Sequence, residues 1–425
     1  MKAQLISLFT KLNVTFKISL FFLLFTSFSF SQNTKEFKGS VTDSETNNPL
    51  VLADLVIKGT NISTVTNSEG EFLLKVPKNL LHESVIVSYL GYKRNEIPLS
   101  EFKKNNTKIQ LQEAATVLAQ VDINTPKDAE SLVIKALKSK GEHYVNDEAV
   151  MTGFYRETIK KRNQNASLSE AVLEIYKQPY TTNKSDAIKL IKARKNTNYS
   201  RLDTLALKLQ GGPFSALHTD IIKYPEFIFN ENNLSQYNFA FERSTQINNK
   251  LLYVVSFKQR DNVQGALYYG KLFIDADTYA LTSAIYNLNV EDREIASKLF
   301  IRKKPRKVEV YPTEAAYRVN YRVKDGKWYY GYSNIFLTFK VNWKNRLFNS
   351  KYTLQSEMAI TDWEQNNALF IAKPKDRLKP NVILADETSG FADPEFWGEY
   401  NIIEPEKSIE TAIKKISKQL KKAKA

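Results

Sequence analysis

Three histidines, a few carboxylate pairs and one dense run of cations are the residues of this chain whose chemistry could go beyond packing. His82, His143 and His218 are the whole imidazole complement, and there is no cysteine. A zinc site needs imidazole, thiolate or carboxylate ligands at fixed spacing. None of the three histidines begins a His-x-x-Glu pair or sits in His-Glu-x-x-His, and they fall in separate segments. The sequence therefore implies no metal and three surface or loop histidines. It has no Gly-x-Ser-x-Gly nucleophile elbow, no Gly-x-x-x-x-Gly-Lys phosphate loop and no dinucleotide fingerprint. Gly211-Gly212-Pro213 lacks the lysine and hydroxyl of a phosphate cradle and reads as a structural turn. Asp275 and Asp277 lie between two strand-like runs and read as turn formers, because Asp bonds its own backbone there. Glu291, Asp292 and Glu294 read as a solvated loop. No catalytic residue and no cofactor is expected.

Two features stand above this background. Arg302, Lys303, Lys304, Arg306 and Lys307 place five cations in six positions, interrupted by Pro305. Such a run suits phosphate-bearing lipid heads or an acidic partner, with a solvated loop as the plain alternative. The second is the aromatic load of 25 Phe, 22 Tyr and 4 Trp. Consecutive aromatics such as Tyr268-Tyr269 and Trp328-Tyr329-Tyr330 put rings on both faces of a strand. One face would fill a core and the other would line a groove of lipid size.

The elements that must position these residues begin with a leader. Lys2, Lys11 and Lys17 form a basic region, Ile18 to Phe25 an apolar run, and Ser29 and Ser31 a small-residue site for cleavage before Gln32. The apolar run is much shorter than the ~20 residues of a spanning helix, so an exported product without a transmembrane helix is expected, in the periplasm or at the outer membrane. The absence of cysteine removes disulfides and a lipid anchor attached through cysteine. The net charge of +15 raises nucleic acid as a partner, and export argues against it.

Residues 35–113 contain short alternating apolar segments separated at close intervals by Gly, Asn, Asp and Pro, the pattern of a small β-sandwich. Val41, Leu55, Ile57, Phe72, Leu74, Val85 and Val87 are its expected core. The residues Gly39 to Asp43, Pro49-Leu50, Ala53, Ile57 to Thr60, Thr66, Gly70 to Phe72 and Ser88 to Tyr92 also occur in a familiar order. On them this segment resembles the carboxypeptidase-regulatory-like domain of Bacteroidetes-type envelope proteins. The resemblance implies a transthyretin-like antiparallel sandwich that is an accessory, non-catalytic module.

Residues 114–130 read as a linker, with Thr125-Pro126 opening a helix in the manner of an N-cap and N1 proline and Gly141 as its stop. Residues 131–371 read as a sheet domain, and from Val150 to Trp363 the period is mostly two. Tyr317, Val319, Tyr321 and Val323 share one face of a strand, and Asp325-Gly326 supplies a type I′ turn. Ile335, Leu337, Phe339, Val341 and Trp343 share a face of the next strand, and Tyr352, Leu354, Met358 and Ile360 repeat the pattern. This is a long antiparallel meander or half-barrel with one or two helices. Gly270 to Leu288, a strand, an Ile-Asp-x-x-Thr turn and a return strand, resembles the Lol-type lipoprotein-sorting half-barrel. Gly211-Gly212-Pro213 and Asp393 to Gly398 resemble segments of other envelope proteins that carry the N-terminal domain.

Residues 372–400 are rich in Pro, Asp and Gly and read as an extended surface segment. Residues 401–425 then form a Lys-rich C-terminal helix, with Ile409, Ile413, Ile416 and Leu420 as a single apolar docking stripe. The fold expected is mainly β, and the function a non-catalytic envelope protein that binds an apolar or lipid-like ligand or an apolar peptide. The alternative is a protein–protein interaction module of an outer-membrane assembly. A hydrolase with an unfamiliar site is a third class.

Overall fold

The computed structural model describes residues 33–114, 128–162, 164–197, 211–229, 233–301, 306–344, 349–366, 373–387 and 396–406. The leader-like residues 1–31, Arg302 to Lys304 of the basic run, and the stripe Ile409, Ile413, Ile416 and Leu420 lie outside the described residues.

Alternating residues in the N-terminal segment build two small sheets. One has the order β4 (Glu71–Pro77), β1 (Thr34–Asp43), β7 (Thr107–Leu111); the other has β3 (Ser63–Val65), β2 (Asp54–Ile57), β5 (Ser84–Ser88), β6 (Asn95–Pro98). Val41, Leu55, Ile57, Phe72, Leu74, Val85 and Val87 are all buried between them. The ladders are antiparallel except β1–β7, which is parallel. Gly39 makes that pair possible, since a Cβ there would lie 2.1 Å from the Thr107 carbonyl oxygen. Asp43 closes the turn after β1 by accepting from the amides of Glu45 and Thr46. The Thr46 amide bond leads in holding its carboxyl down at about 2.

The rest of the chain builds one ten-stranded antiparallel sheet. Its strands are β8 (Ala149–Lys161), β9 (Gln164–Lys177), β10 (Ala187–Thr197), β11 (Tyr237–Ile247), β12 (Lys250–Gln259), β13 (Tyr268–Asp275), β14 (Leu281–Leu288), β15 (Val308–Lys324), β16 (Lys327–Trp343) and β17 (Ser350–Gln365). The order is β10-β9-β8-β17-β16-β15-β14-β13-β12-β11, so two runs of hairpins meet where β8 pairs with β17. Asp325 and Gly326 both have positive φ, 49° and 75°, as a type I′ turn requires.

The two faces of this sheet have different covers. On the first, the plugged face, lie helix α1 (Ala129–Lys138) and an irregular segment of residues 211–229. The plug buries Ile221, Ile222 and Phe229, and α1 buries Leu132, Val133 and Ala136, all in one cluster with Tyr286, Tyr330 and Met358 of the sheet. The N-terminal sandwich sits on the opposite, docked face. There Val65 and Leu73 meet Phe154, Val172, Tyr332 and Ala359. Arg322 clamps the joint by an ion pair to Asp54, donating also to Ser63 Oγ and the Ile360 carbonyl.

Several sequence expectations change. Helix α1 starts at Ala129, because the Asp128 carboxylate accepts from the Ser131 amide at 2.7 Å as the true N-cap; Thr125 and Pro126 lie outside the described residues. Gly141 does not stop a helix. It sits inside a second short turn, α2 (Lys140–His143). Glu291, Asp292 and Glu294 are a helix N-terminus, not a loop: Asp292 caps α4 (Arg293–Phe300) through the amides of Glu294 and Ile295, where acidic groups suit the helix dipole. Gly212 precedes the short helix α3 (Pro213–Leu217), with proline at its start.

The stretch 372–400 is not simply a surface segment. Val382 and Leu384 are buried in the plugged-face cluster and Trp397 in the docked-face cluster. Isolated apolar residues among Pro and Asp carry no period, which is why their burial escapes a reading by pattern. Residues 401–406 are an extended strap rather than the start of a helix. The strap runs between sandwich and sheet: Asn401 exchanges hydrogen bonds with the Lys75 backbone, Thr64 donates to the Ile402 carbonyl, and Arg156 donates to the Ile403 carbonyl.

Candidate functional site

Because paired residues on neighbouring antiparallel strands share a face, register assembles the site. One lateral row of the plugged face reads Lys195, Ser169, Glu157, Ser356, Ile335, Tyr317, Tyr286, Gly270, Phe257 and Phe239. It divides two apolar clusters. On one side lies the cluster beneath the plug and α1; on the other, Leu337, Phe339, Tyr352 and Leu354 form a second cluster with Phe300 of α4 against it. Tyr268 and Tyr317 are partly buried and pack against both. The row is thus the floor of a seam.

The floor is rich in tyrosine. Tyr286 and Tyr317 stack at 5.1 Å between ring centroids, and Tyr268 meets them edge-on at 5.5 and 5.8 Å. Each such pair is worth about 0.5–1.5 kcal/mol beyond its buried area. Gly270 makes room for this triad: a Cβ there would fall 2.5 Å from the Tyr286 Cα. Burial raises the phenol pKa of all three tyrosines, so they present neutral, amphipathic rings.

At one end the seam becomes polar. Glu157 is 4% exposed and receives the Tyr155 hydroxyl at 3.1 Å. No ion pair to Glu157 occurs among the described residues. Burial raises its carboxyl to about 7; the Tyr155 hydrogen bond opposes this and Asp386 adds to it. Ser169 faces it from β9, 1% exposed, and its hydroxyl has no hydrogen-bond partner among the described residues.

The plug is fastened by a buried polar latch. Lys177 of β9 donates at 2.8 Å to both Asp186 and Asp220, and Tyr321 donates to Asp220 at 2.8 Å. Burial works against the Lys177 charge, but the two carboxylates hold its pKa well above the usual range. Beside it the plug's Lys223 donates to the carbonyls of Pro179 and Thr182, and burial lowers its amine to about 8.

The docked face carries the matching lateral row, Arg194, Glu170, Arg156, Glu357, Asn334 and Arg318. Glu170 joins Arg156 at 2.8 Å and Arg194 at 2.7 Å, and the Arg194 guanidinium covers the Trp397 ring. Despite burial, the two arginines keep Glu170 below its ordinary pKa. This ladder anchors the strap, since Arg156 also donates to the Ile403 carbonyl.

The residues singled out by sequence are dispersed. Of the basic run, Arg306 and Lys307 are exposed ahead of β15. His82 lies in the sandwich, His143 in α2, and His218 after α3 stacks on Phe227. Asp275 is a turn former, accepting from Asp277 and Thr278 and pairing with Lys250 at 3.4 Å. Tyr268 reaches the seam floor, whereas Tyr269 is exposed. Glu157 and Ser169 were missed. The signal was present for Glu157, which continues the in-facing parity of Met151 and Tyr155.

Residues 37–123 match the CarboxypepD_reg-like domain. The CarboxypepD_reg-like domain therefore accounts for the sandwich on the docked face, and the seam lies beyond it. TonB-dependent receptor SusC from Bacteroides thetaiotaomicron is 26% identical over 151 residues, 36% of this chain. The chain spans 11% of the length of that relative. Among solved structures, a LolA superfamily protein from Nitrosomonas europaea is 9% identical, covering 58% of this chain and 99% of its own, with a TM-score of 0.22. A structure of lipid–protein interactions in lipovitellin is 8% identical, covering 55% of this chain and 27% of its own, with a TM-score of 0.27.

Proposed function

We propose that this is a non-catalytic protein of the cell envelope that holds an apolar, lipid-like ligand along the seam between the plug and α4. The observation that carries this reading is the row of buried Tyr286 and Ile335 and partly buried Tyr317, with partly buried Tyr268 beside it, running between two separately packed apolar clusters. Apolar lining with a few placed polar groups is the usual composition of a small-molecule site. Export is supported by the leader-like residues 1–31 and by the CarboxypepD_reg-like domain. Arg306 and Lys307, with Arg302 to Lys304 before them in sequence, would bring the α4 side of the seam to an anionic surface.

Native mass spectrometry of the protein purified from envelope fractions tests the reading. A bound amphiphile is expected in the wild type and is expected to be lost in I335K, which puts a cation on the floor. Wild type without any bound amphiphile, or I335K that retains it, would overturn the proposal. The second reading, an interaction module of an outer-membrane assembly, is favoured by the 151-residue likeness to a TonB-dependent receptor. A stoichiometric protein partner that survives I335K in the same preparation would support it.

A further inference from the structure

The polar end of the seam narrows the chemistry of what enters it, and the argument rests on the apolar-ligand reading above. Glu157 is buried with one hydrogen-bond donor, the Tyr155 hydroxyl at 3.1 Å, and no cation within ion-pair distance among the described residues. A buried carboxylate without a counter-ion is costly. Ser169 and Ser356 face Glu157 from the two flanking strands, and the buried Ser169 hydroxyl lacks a partner among the described residues. Lys195, next in the row, directs its ammonium to the Ala385 carbonyl. From the covering segment, Asp386 adds a second carboxylate to the field at Glu157. The position is thus rich in acceptors and negative in potential.

An anionic headgroup would meet the buried Glu157 carboxylate there. An ammonium brings three donors and no acceptor, which matches Glu157, Ser169 and Ser356. We infer that the Glu157 end of the seam is a headgroup site for an amphiphile carrying a primary ammonium. The ligand's cation would supply the counter-ion that the described residues do not place beside Glu157. The chain's net charge of +15 repels free ammonium from the surface at large, so uptake reports on this position.

The test is calorimetric titration of the full-length protein with dodecylamine, dodecanol and laurate, each below its aggregation threshold, at about pH 8. Dodecylamine is expected to bind about tenfold to a hundredfold more tightly than the other two, the range for a hydrogen bond to a charged group. E157Q is expected to reduce it to the dodecanol level, and S169A to weaken it less. Wild-type affinity for dodecylamine is expected to rise from about pH 6 to about pH 8 as Glu157 ionises, while E157Q stays flat. Circular dichroism of each variant checks the fold. If laurate or dodecanol binds as tightly as dodecylamine, or E157Q changes nothing, the headgroup assignment is overturned and the apolar seam stands. If none of the three binds, the seam reading itself fails and the headgroup site with it.

Discussion

Replacing Glu157 by glutamine should change the pH profile of stability in one direction. The carboxyl has an ordinary value of 4.5 and a folded value of about 7, raised by burial. Below pH 4.5 the proton is on in both folded and unfolded chains, and the group's contribution is fully present. Between 4.5 and about 7 only the folded state keeps the proton, so stability falls as pH rises. At about 1.4 kcal/mol per pH unit the loss is complete above pH 7 and amounts to about 3 kcal/mol. Glutamine stays neutral and can still accept from Tyr155. E157Q should therefore match the wild type near pH 4.5 and exceed it by about 3 kcal/mol near pH 8. Urea unfolding of both proteins across this range gives the difference directly, and other titrating groups cancel in it. Parallel curves, or a variant less stable at pH 8, would refute the assignment of an uncompensated carboxyl.

Three other perturbations follow from the latch, the joint and the sandwich. K177M strands Asp186 and Asp220 without their shared cation and should cost about 3–5 kcal/mol in urea unfolding; a cost under about 1 kcal/mol would mean the latch is not closed. R322A leaves Asp54 without its bidentate partner, and thermal unfolding should split into two transitions as the sandwich and the sheet part company. A single transition with an unchanged midpoint would contradict a joint held by that arginine. A fragment of residues 33–113 should fold alone and melt cooperatively, because its core of Val41, Leu55, Phe72 and Val85 is complete within it; a random-coil circular dichroism spectrum would sink this.

What the sequence made legible was alternation. Tyr317 to Val323 and Ile335 to Val341 show their faces directly, and Asp325-Gly326 its turn. Parity fails at bulges. The register shifts between Asn320 and Tyr321 opposite Tyr330 to Tyr332, so Tyr330 lies on the plugged face and Tyr332 on the docked one although they are two apart. The latch escaped for another reason: Lys177 finds its partners 9 and 43 residues away, in segments without periodicity. Glu157 was legible in principle as a carboxylate at an in-facing position, but that no described cation pairs with it is a property of three dimensions.

The strap sets an order of assembly. Residues 401–406 follow the sandwich and all ten strands in the chain, yet the carbonyls of Ile402 and Ile403 and the Asn401 side chain complete the joint between those two bodies. A chain emerging amino end first can form the sandwich early and the sheet once β17 closes on β8. It gains the full interface only after residues 401–406 have been delivered. Until then Arg156 and Thr64 face an unfilled groove, the state in which a folding helper would meet this protein.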